Sequence, residues 1–278
     1  MVGGFLIKDI VLRALKEDIN YIDLAAEYAF SETDKSRAEI ISKEDGIICG
    51  IDVARLCFFE IDSEIQFTAY KKDGDTVKKG DLILSVVGKT KALLAGERTA
   101  INFLQHLSGI ATKTRRLSDL IKGTGAKLTD TRKTLPNLRI LQKYAVKIGG
   151  GFNHRYNLSD MAMLKDNHIK AYGGIEKAVL KLRENLGHTV KIEVEVSSTE
   201  DMERAITSGA DIVMLDNMNT EEMAKAAKAA DKRVILEASG NITEANIKEV
   251  ALTGIDIISV GELTHSVKAL DLSMQFLI

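Results

Sequence analysis

The spacing of apolar residues divides the chain into two parts with different patterns. Apolar residues recur at helical spacing between Ile7 and Lys16, which predicts a helix. From Arg37 onward, short apolar runs predict strands in AEIIS, GIICG, EIQFTAY and LILSVVGKT. The Asp-Gly and Lys-Gly pairs of KKDGDTVKKG predict turns between the last two of these strands. The first part is therefore predicted to be an antiparallel, sheet-rich module with a helix at its start.

Beyond Thr99 the pattern changes to helices that alternate with short apolar strands. A helix is predicted over Thr99–Ile121. Strands are predicted at Ala126–Thr131, Met161–Lys165, Thr189–Val196, Asp211–Leu215, Arg233–Ala238 and Asp256–Val260. Helices are predicted between them at Ile175–Asn185, Thr199–Ser208, Thr220–Ala230 and Thr243–Leu252. This alternation indicates an α/β fold with parallel strands, arranged as a barrel or as a doubly wound sheet.

Polar residues at the strand ends favour the barrel. Nearly every predicted strand ends in a polar or charged residue, and the carboxyl ends of barrel strands converge on the rim where active sites form. The strand TVKIEVEV alternates valine or isoleucine with Lys191, Glu193 and Glu195. We expect the apolar face to pack on outer helices and the charged face to point into the barrel. Carboxylates in that position need cations beside them.

Cations are concentrated between Asp130 and His168. This segment contains Arg132, Lys133, Arg139, Lys147, Arg155 and Lys165, together with His154 and His168. The whole chain has a net charge of only −2, so its composition gives no general reason for such a cluster. The cluster predicts a site for a small anion with several carboxylates or phosphates. A solvated rim of surface ion pairs is the alternative interpretation.

Composition narrows the class of protein. With 45% hydrophobic and 28% charged residues, the chain is typical of a globular protein, and its near-neutral charge argues against a nucleic-acid partner. Cys49 and Cys57 lie outside any CxxC pair, which predicts free thiols in a reducing compartment. We see neither a signal peptide nor an apolar run of membrane-spanning length. The expected location is the cytoplasm, without a membrane partner.

Three further features have two interpretations each. GGGFNHR, residues 149–155, is either a backbone nest for an anion or a plain turn. Glu195 and Asp216 are candidates for Mg²⁺ binding through its waters or for ribose hydroxyls, or they form ion pairs at the rim. Arg98 is placed at the start of the predicted helix, where it opposes the macrodipole. A bound anion or the neighbouring Glu97 would resolve that conflict.

A set of motifs in a fixed order carries a family resemblance. AGERTAINFLQHLSGIAT, DTRKTLPNLR, GGGFNHR, MLKDNHI, EVEV, MLDNM, LEASGNI and ISVGELTHS together span nearly the whole chain. They resemble the quinolinate phosphoribosyltransferases, or nicotinate-nucleotide pyrophosphorylases (carboxylating), of the type II phosphoribosyltransferase family. The resemblance implies an N-terminal α+β sandwich domain over residues 1–109, on which residues 266–278 would pack. It implies an incomplete α/β barrel of the seven-stranded type over residues 110–265.

The resemblance also implies a reaction. Family members transfer phosphoribosyl from phosphoribosyl pyrophosphate to quinolinate with decarboxylation, in de novo NAD biosynthesis. The products would be nicotinate mononucleotide, pyrophosphate and carbon dioxide, with Mg²⁺ as cofactor. The assembly would be a homodimer or a hexamer of dimers.

Matching positions imply a role for individual residues. The quinolinate pocket would be formed by Arg132, His154 and Arg155, with Arg98 reaching the site of the partner subunit. Lys133 and Lys165 match the lysines near the pyrophosphate and the reacting centre. Glu195 and Asp216 match the acidic residues that face ribose and magnesium. The remaining substrate contacts would come from Thr131 and from the 5′-phosphate loops at Ser239, Gly240, Asn241 and Gly261.

Departures from the family pattern concern loops. Ile22 and Ala25 replace a glycine and a hydroxyl residue of a common YGDxT motif, Asn137 follows Pro136 in place of glycine, and Asn241 stands where a second glycine is frequent. We expect these changes to affect loop conformation more than charge.

Four alternatives remain open at this stage. Nicotinate phosphoribosyltransferases and the molybdenum-operon relatives are related classes, although the latter lack the KDNH segment retained here. A Schiff-base aldolase would use Lys133 or Lys165. A carrier module is the fourth, because DGDTVKKGDLILSVVG resembles lipoyl and biotinyl domains, although no modification lysine lies in the expected hairpin.

Overall fold

The structure, a computed structural model, describes residues 4–277. These residues form two compact units. The first contains the chain up to Arg115, Leu135–Gly150 and the segment from Ser266 onward. The second contains Arg116–Thr134 and Gly151–His265. Helices and strands are numbered along the chain below.

The first unit is built on an antiparallel sheet. Its helices are α1 (Gly4–Ile19), α2 (Leu24–Ala29), α3 (Ile51–Ile61), α4 (Thr90–Leu120, whose last turn belongs to the second unit) and α5 (Arg139–Ile148). Its strands are β1 (Lys35–Ser42), β2 (Gly46–Ile47), β3 (Gln66–Ala69), β4 (Thr76–Val77), β5 (Leu82–Lys89) and β12 (Leu272–Leu277). The strand order is β12-β1-β5-β3, and β2 pairs with β4. The C-terminal strand thus completes the sheet of this unit beside β1.

Alternation explains the central strands of this sheet. Ala38 and Ile40 of β1 and Leu84 and Val86 of β5 are fully buried, and β1 and β5 pair so that Ala38 lies opposite Val86. Residues two apart on a strand share a face, so each strand turns one apolar face to the core. The predicted strands AEIIS, EIQFTAY and LILSVVGKT are confirmed.

Two features of the first unit correct the expectations from sequence. Helix α3 lies in a stretch for which only strands were expected, and its buried residues follow helical spacing. Most of GIICG is accordingly not strand, since β2 covers only Gly46–Ile47. Helix α4 begins at Thr90, so the prediction of a start at Thr99 is wrong. Arg98 therefore lies inside the helix, and the conflict with the macrodipole at a helix start does not exist.

The second unit has the predicted alternation of strands and helices. Its strands are β6 (Lys127–Thr129), β7 (Ala162–Leu164), β8 (Ile192–Val196), β9 (Ile212–Asp216), β10 (Ile235–Ser239) and β11 (Ile257–Ser259). Its helices are α6 (Asp166–Tyr172), α7 (Ile175–Asn185), α8 (Thr199–Thr207), α9 (Thr220–Ala230), α10 (Ile247–Ala251) and α11 (Glu262–His265). All neighbouring strands are parallel, in the order β6-β11-β10-β9-β8-β7. Every strand predicted beyond Thr99 is present.

The parallel sheet does not close into a complete barrel. Strands β6 and β7 lie at its two ends and do not pair with each other. A single parallel bridge between Thr129 and Phe152 places the backbone of Phe152 beside β6. The predicted α/β class with an incomplete barrel and an antiparallel N-terminal sheet is therefore confirmed.

Burial in the second unit matches the predicted two faces of β8. Ile192, Val194 and Val196 are buried, which is the apolar face expected to meet helices. Glu193, on the opposite face, is fully buried as well. The parallel sheet consequently encloses charged groups near its carboxyl ends. None of the helices within residues 4–277 has the length and apolar character required to cross a membrane.

Candidate active site

One cavity lies at the carboxyl ends of the parallel strands. It has a volume of about 540 Å³ and is lined by Thr131, Arg132, Lys133, His154, Arg155, Met163, Lys165, Glu195, Met214, Asp216, Asn217, Glu237, Ser239, Gly240, Asn241 and Ser259. Because parallel strands bring their carboxyl ends to the same edge, residues distant in sequence meet here. Such a cavity is large enough for a small polar substrate.

The cavity contains eleven of the predicted site residues. The five lining residues that sequence reasoning did not select are Met163, Met214, Asn217, Glu237 and Ser259. Gly261 is close to the cavity, since a Cβ at this position would lie 3.0 Å from Lys133 Cδ. Its lack of a side chain leaves room for the Lys133 side chain. Arg98 belongs to the first unit, where it is exposed on α4.

Arg155 is positioned by neutral groups. Its Nη1 donates to the Met161 carbonyl at 2.9 Å, and its Nη2 lies 3.5 Å from Met163 Sδ. Burial, followed by the nearby positive charge of Arg132, lowers the pKa of Arg155 below its usual value. Two guanidinium groups are thus held near each other. Among the ion pairs of the described residues, none joins Arg155 to a carboxylate. An anion with more than one carboxylate matches this arrangement.

Lys165 and Glu195 form an ion pair at the edge of the cavity. Lys165 Nζ contacts Glu195 Oε2, and the Lys165 side chain is 46% exposed whereas that of Glu195 is 17% exposed. The Lys165 backbone N–H donates to His168 Nδ1 at 3.0 Å, at the start of α6. His168 therefore supports the backbone of Lys165 and does not line the cavity. A polar edge of this kind stays accessible to a charged substrate.

A chain of amide groups connects two loops on another side of the cavity. Asn217 Nδ2 donates to Asp216 Oδ2 at 2.9 Å, and Asn241 Nδ2 donates to Asn217 Oδ1 at 3.0 Å. Asn241 has φ of 52°, in the left-handed region that glycine adopts readily. Asparagine tolerates this region better than most residues, so it can replace the glycine that is frequent at this position. Gly240 is required by sterics, because a Cβ there would lie 2.2 Å from Asn217 Oδ1. The loop at 239–241 is consequently connected to the Asp216 carboxylate.

The glycine at the start of GGGFNHR has a structural role. Gly149 follows α5, and its N–H donates to the Ala145 carbonyl at 3.0 Å. A Cβ on Gly149 would lie 2.5 Å from Thr114 Cβ, so its small size permits close packing against α4. None of the three glycines lines the cavity. Gly149 and Gly150 thus form the turn that follows α5, which favours the interpretation as a turn over that as an anion nest.

Asp130 holds the next part of this motif. Its carboxylate is fully buried and accepts the His154 backbone N–H at 2.9 Å and Asn153 Nδ2 at 2.6 Å. A buried carboxylate that accepts several hydrogen bonds fixes the donors around it. Asp130 thereby determines the backbone position from which His154 and Arg155 enter the site. The sequence offered only its place in DTRK as a signal.

The carboxylates predicted to point inward have cationic or polar neighbours. His154 Nε2 lies 3.1 Å from Glu193 Oε2 and 3.5 Å from Glu237 Oε2. Lys165 is paired with Glu195, as described above. The expectation that inward carboxylates on β8 need cations beside them is confirmed for Glu195, which pairs with Lys165, whereas the neighbour of Glu193 is His154. The fold and this site together define an α/β protein with an incomplete barrel whose cavity suits anionic substrates.

Comparison with known proteins identifies the family. The N-terminal domain of quinolinate phosphoribosyl transferase matches residues 23–108, and its C-terminal domain matches residues 110–275. A probable nicotinate-nucleotide pyrophosphorylase [carboxylating] of Bacillus subtilis is 45% identical, covering 93% of this chain and 89% of that protein. The crystal structure of NadC from Streptococcus pyogenes is 41% identical with a TM-score of 0.95, covering 100% of this chain and 99% of that chain. The chain belongs to the quinolinate phosphoribosyltransferase family of enzymes.

A more distant structure shares the fold alone. The crystal structure of human nicotinic acid phosphoribosyltransferase is 13% identical with a TM-score of 0.64, covering 98% of this chain and 74% of that chain. At this identity the likeness concerns architecture and does not extend to the substrate.

The hydrogen bonds of Asp130 generate a first prediction. We expect Asp130→Ala to lower the free energy of unfolding by about 2–3 kcal/mol, because buried donors lose a charged acceptor. Chemical denaturation measures the loss, and hydrogen exchange should show faster exchange of the His154 amide. Asp119→Ala is the control, since Asp119 is exposed on α4 and its side chain makes none of these contacts; its effect should stay within about 0.5 kcal/mol. Equal stabilities of the two variants would contradict the role of Asp130.

Proposed function

We propose that this chain transfers phosphoribosyl from phosphoribosyl pyrophosphate to quinolinate and releases pyrophosphate and carbon dioxide, giving nicotinate mononucleotide. The observation that carries the proposal is the arrangement of one cavity, in which Arg132 and Arg155 lie near each other and Glu195 and Asp216 line the same space. Family membership supports the same reaction, which belongs to NAD biosynthesis.

The two arginines suit the dicarboxylate. A guanidinium group presents a planar fork that pairs with a carboxylate, and Arg132 and Arg155 offer two such groups close together. Nicotinate, with one carboxylate, would contact only one of them, so it should bind more weakly than a dicarboxylate. Both His154 nitrogens face protein groups, so we assign this residue to holding the Arg155 backbone beside the substrate.

The opposite side suits the sugar phosphate. Lys133 and Lys165 would contact the pyrophosphate, and the loop at Ser239, Gly240 and Asn241, with Gly261 nearby, would hold the 5′-phosphate through backbone amides. Thr131 Oγ1 accepts the Lys133 backbone N–H at 3.0 Å, which orders the segment that carries both cations. Glu195 and Asp216 are placed to interact with the ribose.

Magnesium fits the oxygen donors of this cavity. Glu195 and Asp216 supply hard carboxylate oxygens, which Mg²⁺ prefers, and the cation commonly retains waters and binds substrate phosphates as well. When bound, it would neutralise charge on the departing pyrophosphate. The proposed ligands are therefore these two carboxylates and the substrate itself.

The chemical steps require fixed charge more than proton transfer. As the bond from the ribose carbon to the pyrophosphate oxygen breaks, positive charge develops on the sugar, and the two carboxylates stabilise it while Lys133 and Lys165 stabilise the leaving oxygens. The pyridine nitrogen then bonds to the sugar carbon. The resulting cationic ring accepts the electron pair of the breaking carbon–carboxylate bond, and the ring carbon takes a proton from solvent. We assign no dedicated base.

Two alternatives from sequence fit the structure less well. A Schiff-base aldolase needs a lysine amine that is free to attack a carbonyl group, whereas Lys165 is engaged in an ion pair with Glu195. A carrier module would leave the cavity of the second unit without a use, and Thr76–Val77 in its supposed hairpin pair with β2 in a separate two-stranded sheet. Burial of both free cysteines agrees with a cytoplasmic location, which we adopt as part of the proposal.

Arg98 is best explained by a second copy of the chain. It is exposed on α4, and no ion pair involves it within the part of the chain that the structure describes. We infer a homodimer, alone or within a hexamer, in which Arg98 reaches the quinolinate site of the partner. The assembly would complete the set of cations around the dicarboxylate.

An assay of both products tests the function directly. With quinolinate, phosphoribosyl pyrophosphate and Mg²⁺, we expect equal amounts of carbon dioxide and pyrophosphate, because one turnover releases one of each. Nicotinate in place of quinolinate should give little pyrophosphate, and chelation of Mg²⁺ should suppress both products. Pyrophosphate release that is equally fast with nicotinate would contradict the proposed substrate.

Replacement of one arginine tests the carboxylate pocket. Arg155→Ala should lower kcat/KM for quinolinate by about 100-fold, because a charged hydrogen-bonded pair contributes about 1.5–3 kcal/mol. Its circular dichroism should match that of the unchanged protein. Arg13→Ala is the control, since Arg13 lies on α1 and pairs only with Asp9 among the ion pairs of residues 4–277. A kcat/KM unaltered by Arg155→Ala would count against the assignment.

Mixing of two inactive variants tests the shared site. Arg98→Ala and Arg155→Ala each damage every site of their own dimers. In a mixed dimer, one site combines an intact Arg155 with an intact Arg98 from the other subunit. After subunit exchange we expect about a quarter of the original activity, because half of the dimers are mixed and each has one complete site. Activity that stays at the level of the separate variants would exclude a contribution of Arg98 across the interface.

A further inference from the structure

Two buried glutamates beside the cavity have no role in the function proposed above. Glu193 on β8 is 0% exposed and Glu237 on β10 is 1% exposed. Together with His154 they offer three ligand-type atoms that lie within 4.8 Å of one another. Carboxylates are rarely buried completely unless another group compensates their charge.

Three of the four carboxyl oxygens of this pair lack a hydrogen-bond donor. Glu193 Oε1 and Oε2 and Glu237 Oε1 are inaccessible to solvent and accept no aligned hydrogen bond from the described residues. His154 Nε2 is the donor that lies near both carboxyl groups, at 3.1 Å from Glu193 and 3.5 Å from Glu237, while the Ser259 side chain donates to Glu237 alone. Two ionised carboxylates would repel each other here and lose their hydration. A proton on one of them removes that repulsion and supplies a second donor.

The state of His154 limits the ways to compensate the charge. The Arg155 backbone N–H donates to His154 Nδ1 at 2.8 Å. A backbone amide can only donate, so Nδ1 acts as acceptor and the ring proton is on Nε2, which faces the two glutamates. The ring thus presents one N–H to the two glutamates. A metal ion would need the lone pair of Nε2, which this tautomer does not offer.

We propose that Glu237 is protonated in the form of the enzyme that binds quinolinate. Glu193 and Glu237 are positioning residues that hold His154 through Nε2–H and thereby fix the backbone of Arg155. The proposal rests on the proposed function for its link to quinolinate. Burial, and then the charge of Glu193, raise the pKa of Glu237 to about 7, against smaller opposite effects of His154 and Ser259. The strands on either side place the apolar Met214 and Ile257 opposite Glu237.

This protonation has a consequence for substrate binding. The ionisable groups facing Glu237 are Glu193 on β8 and His154 on the segment after β6, while Arg155 and Lys165 line the same cavity. Loss of the Glu237 proton would place an additional negative charge beside a site for a dicarboxylate. The affinity for quinolinate should consequently fall as the pH rises through about 7, the pKa of Glu237.

Glu237→Gln is the decisive variant, because the amide imitates the shape and donor of a protonated carboxyl group. Between pH 6 and pH 9 we expect the KM for quinolinate of the unchanged enzyme to rise. The factor of this rise should be about ten times the factor found for Glu237→Gln. The KM for phosphoribosyl pyrophosphate should behave alike in both. Glu249→Gln, at an exposed position of α10, is the control and should keep the profile of the unchanged enzyme. A tenfold or greater loss of kcat/KM in Glu237→Gln at every pH would overturn the proposal, since Glu237 would then work as an anion.

A second measurement does not depend on turnover. A carboxyl group whose pKa is raised on folding stabilises the protein fully below its unfolded pKa, and this stabilisation is lost as the pH rises from the ordinary value of 4.5 to about 7. Glu237→Gln should therefore gain Tm relative to the unchanged protein between pH 5 and pH 8, and Glu249→Gln should not. Carbon NMR of glutamate-labelled unchanged protein should show one carboxyl group that titrates near pH 7.

Contrary results are equally defined. Absence of a carboxyl group titrating near pH 7, or a stoichiometric divalent metal released from the purified protein on unfolding, would overturn the proposal. If the enzyme fails to turn over quinolinate, the proposed function fails. The NMR titration and the Tm profile would still decide the protonation of Glu237.

Discussion

Compensation of charge at the carboxyl ends of the parallel strands is the constraint on which this structure depends. Lys165, Glu195 and Asp216 belong to separate segments of the chain, and the strand order brings them to the same edge of the sheet. Charges of opposite sign pair directly, as Lys165 and Glu195 do. Arg155, by contrast, is held by a carbonyl and a thioether, so its charge stays available. A polyanionic substrate completes a balance that the protein leaves open on one side of the cavity.

Hydrogen bonds among the residues around the charged groups maintain this arrangement. Asp130 fixes the backbone at His154, and the Asn217 and Asn241 amides connect Asp216 to the neighbouring loop. Glu193 lies behind His154 in the interior. Except for the bond between Asn217 and Asp216, these contacts join segments distant in sequence. The geometry of the charged groups is thus determined by a surrounding set of hydrogen bonds, as expected of a preorganised site.

Periodicity and strand-end polarity predicted much of the second unit, and the reasons are physical. A parallel strand between helices is a short apolar run followed by a polar turn, and this pattern is local. The first unit was harder, because the apolar run in α3 fits a buried strand as well as a helix, and only its packing distinguishes them. Arg98 was misplaced relative to its helix for a similar reason, since the strand β5 passes into α4 without a turn signal. Glu237 was overlooked because its partners are on other strands.

The sequence by itself determined the family, the α/β class and the identity of the charged groups at the strand ends. These properties depend on residue type and on spacing along the chain, both of which are local. Only the tertiary structure decided which charges compensate each other and which remain for a ligand. It decided that Gly149 and Gly150 follow the end of a helix, that His154 faces two buried carboxyl groups, and that Asn241 supports Asp216 through Asn217. Such pairings depend on distances across the fold, and electrostatic and hydrogen-bond energies change steeply with those distances.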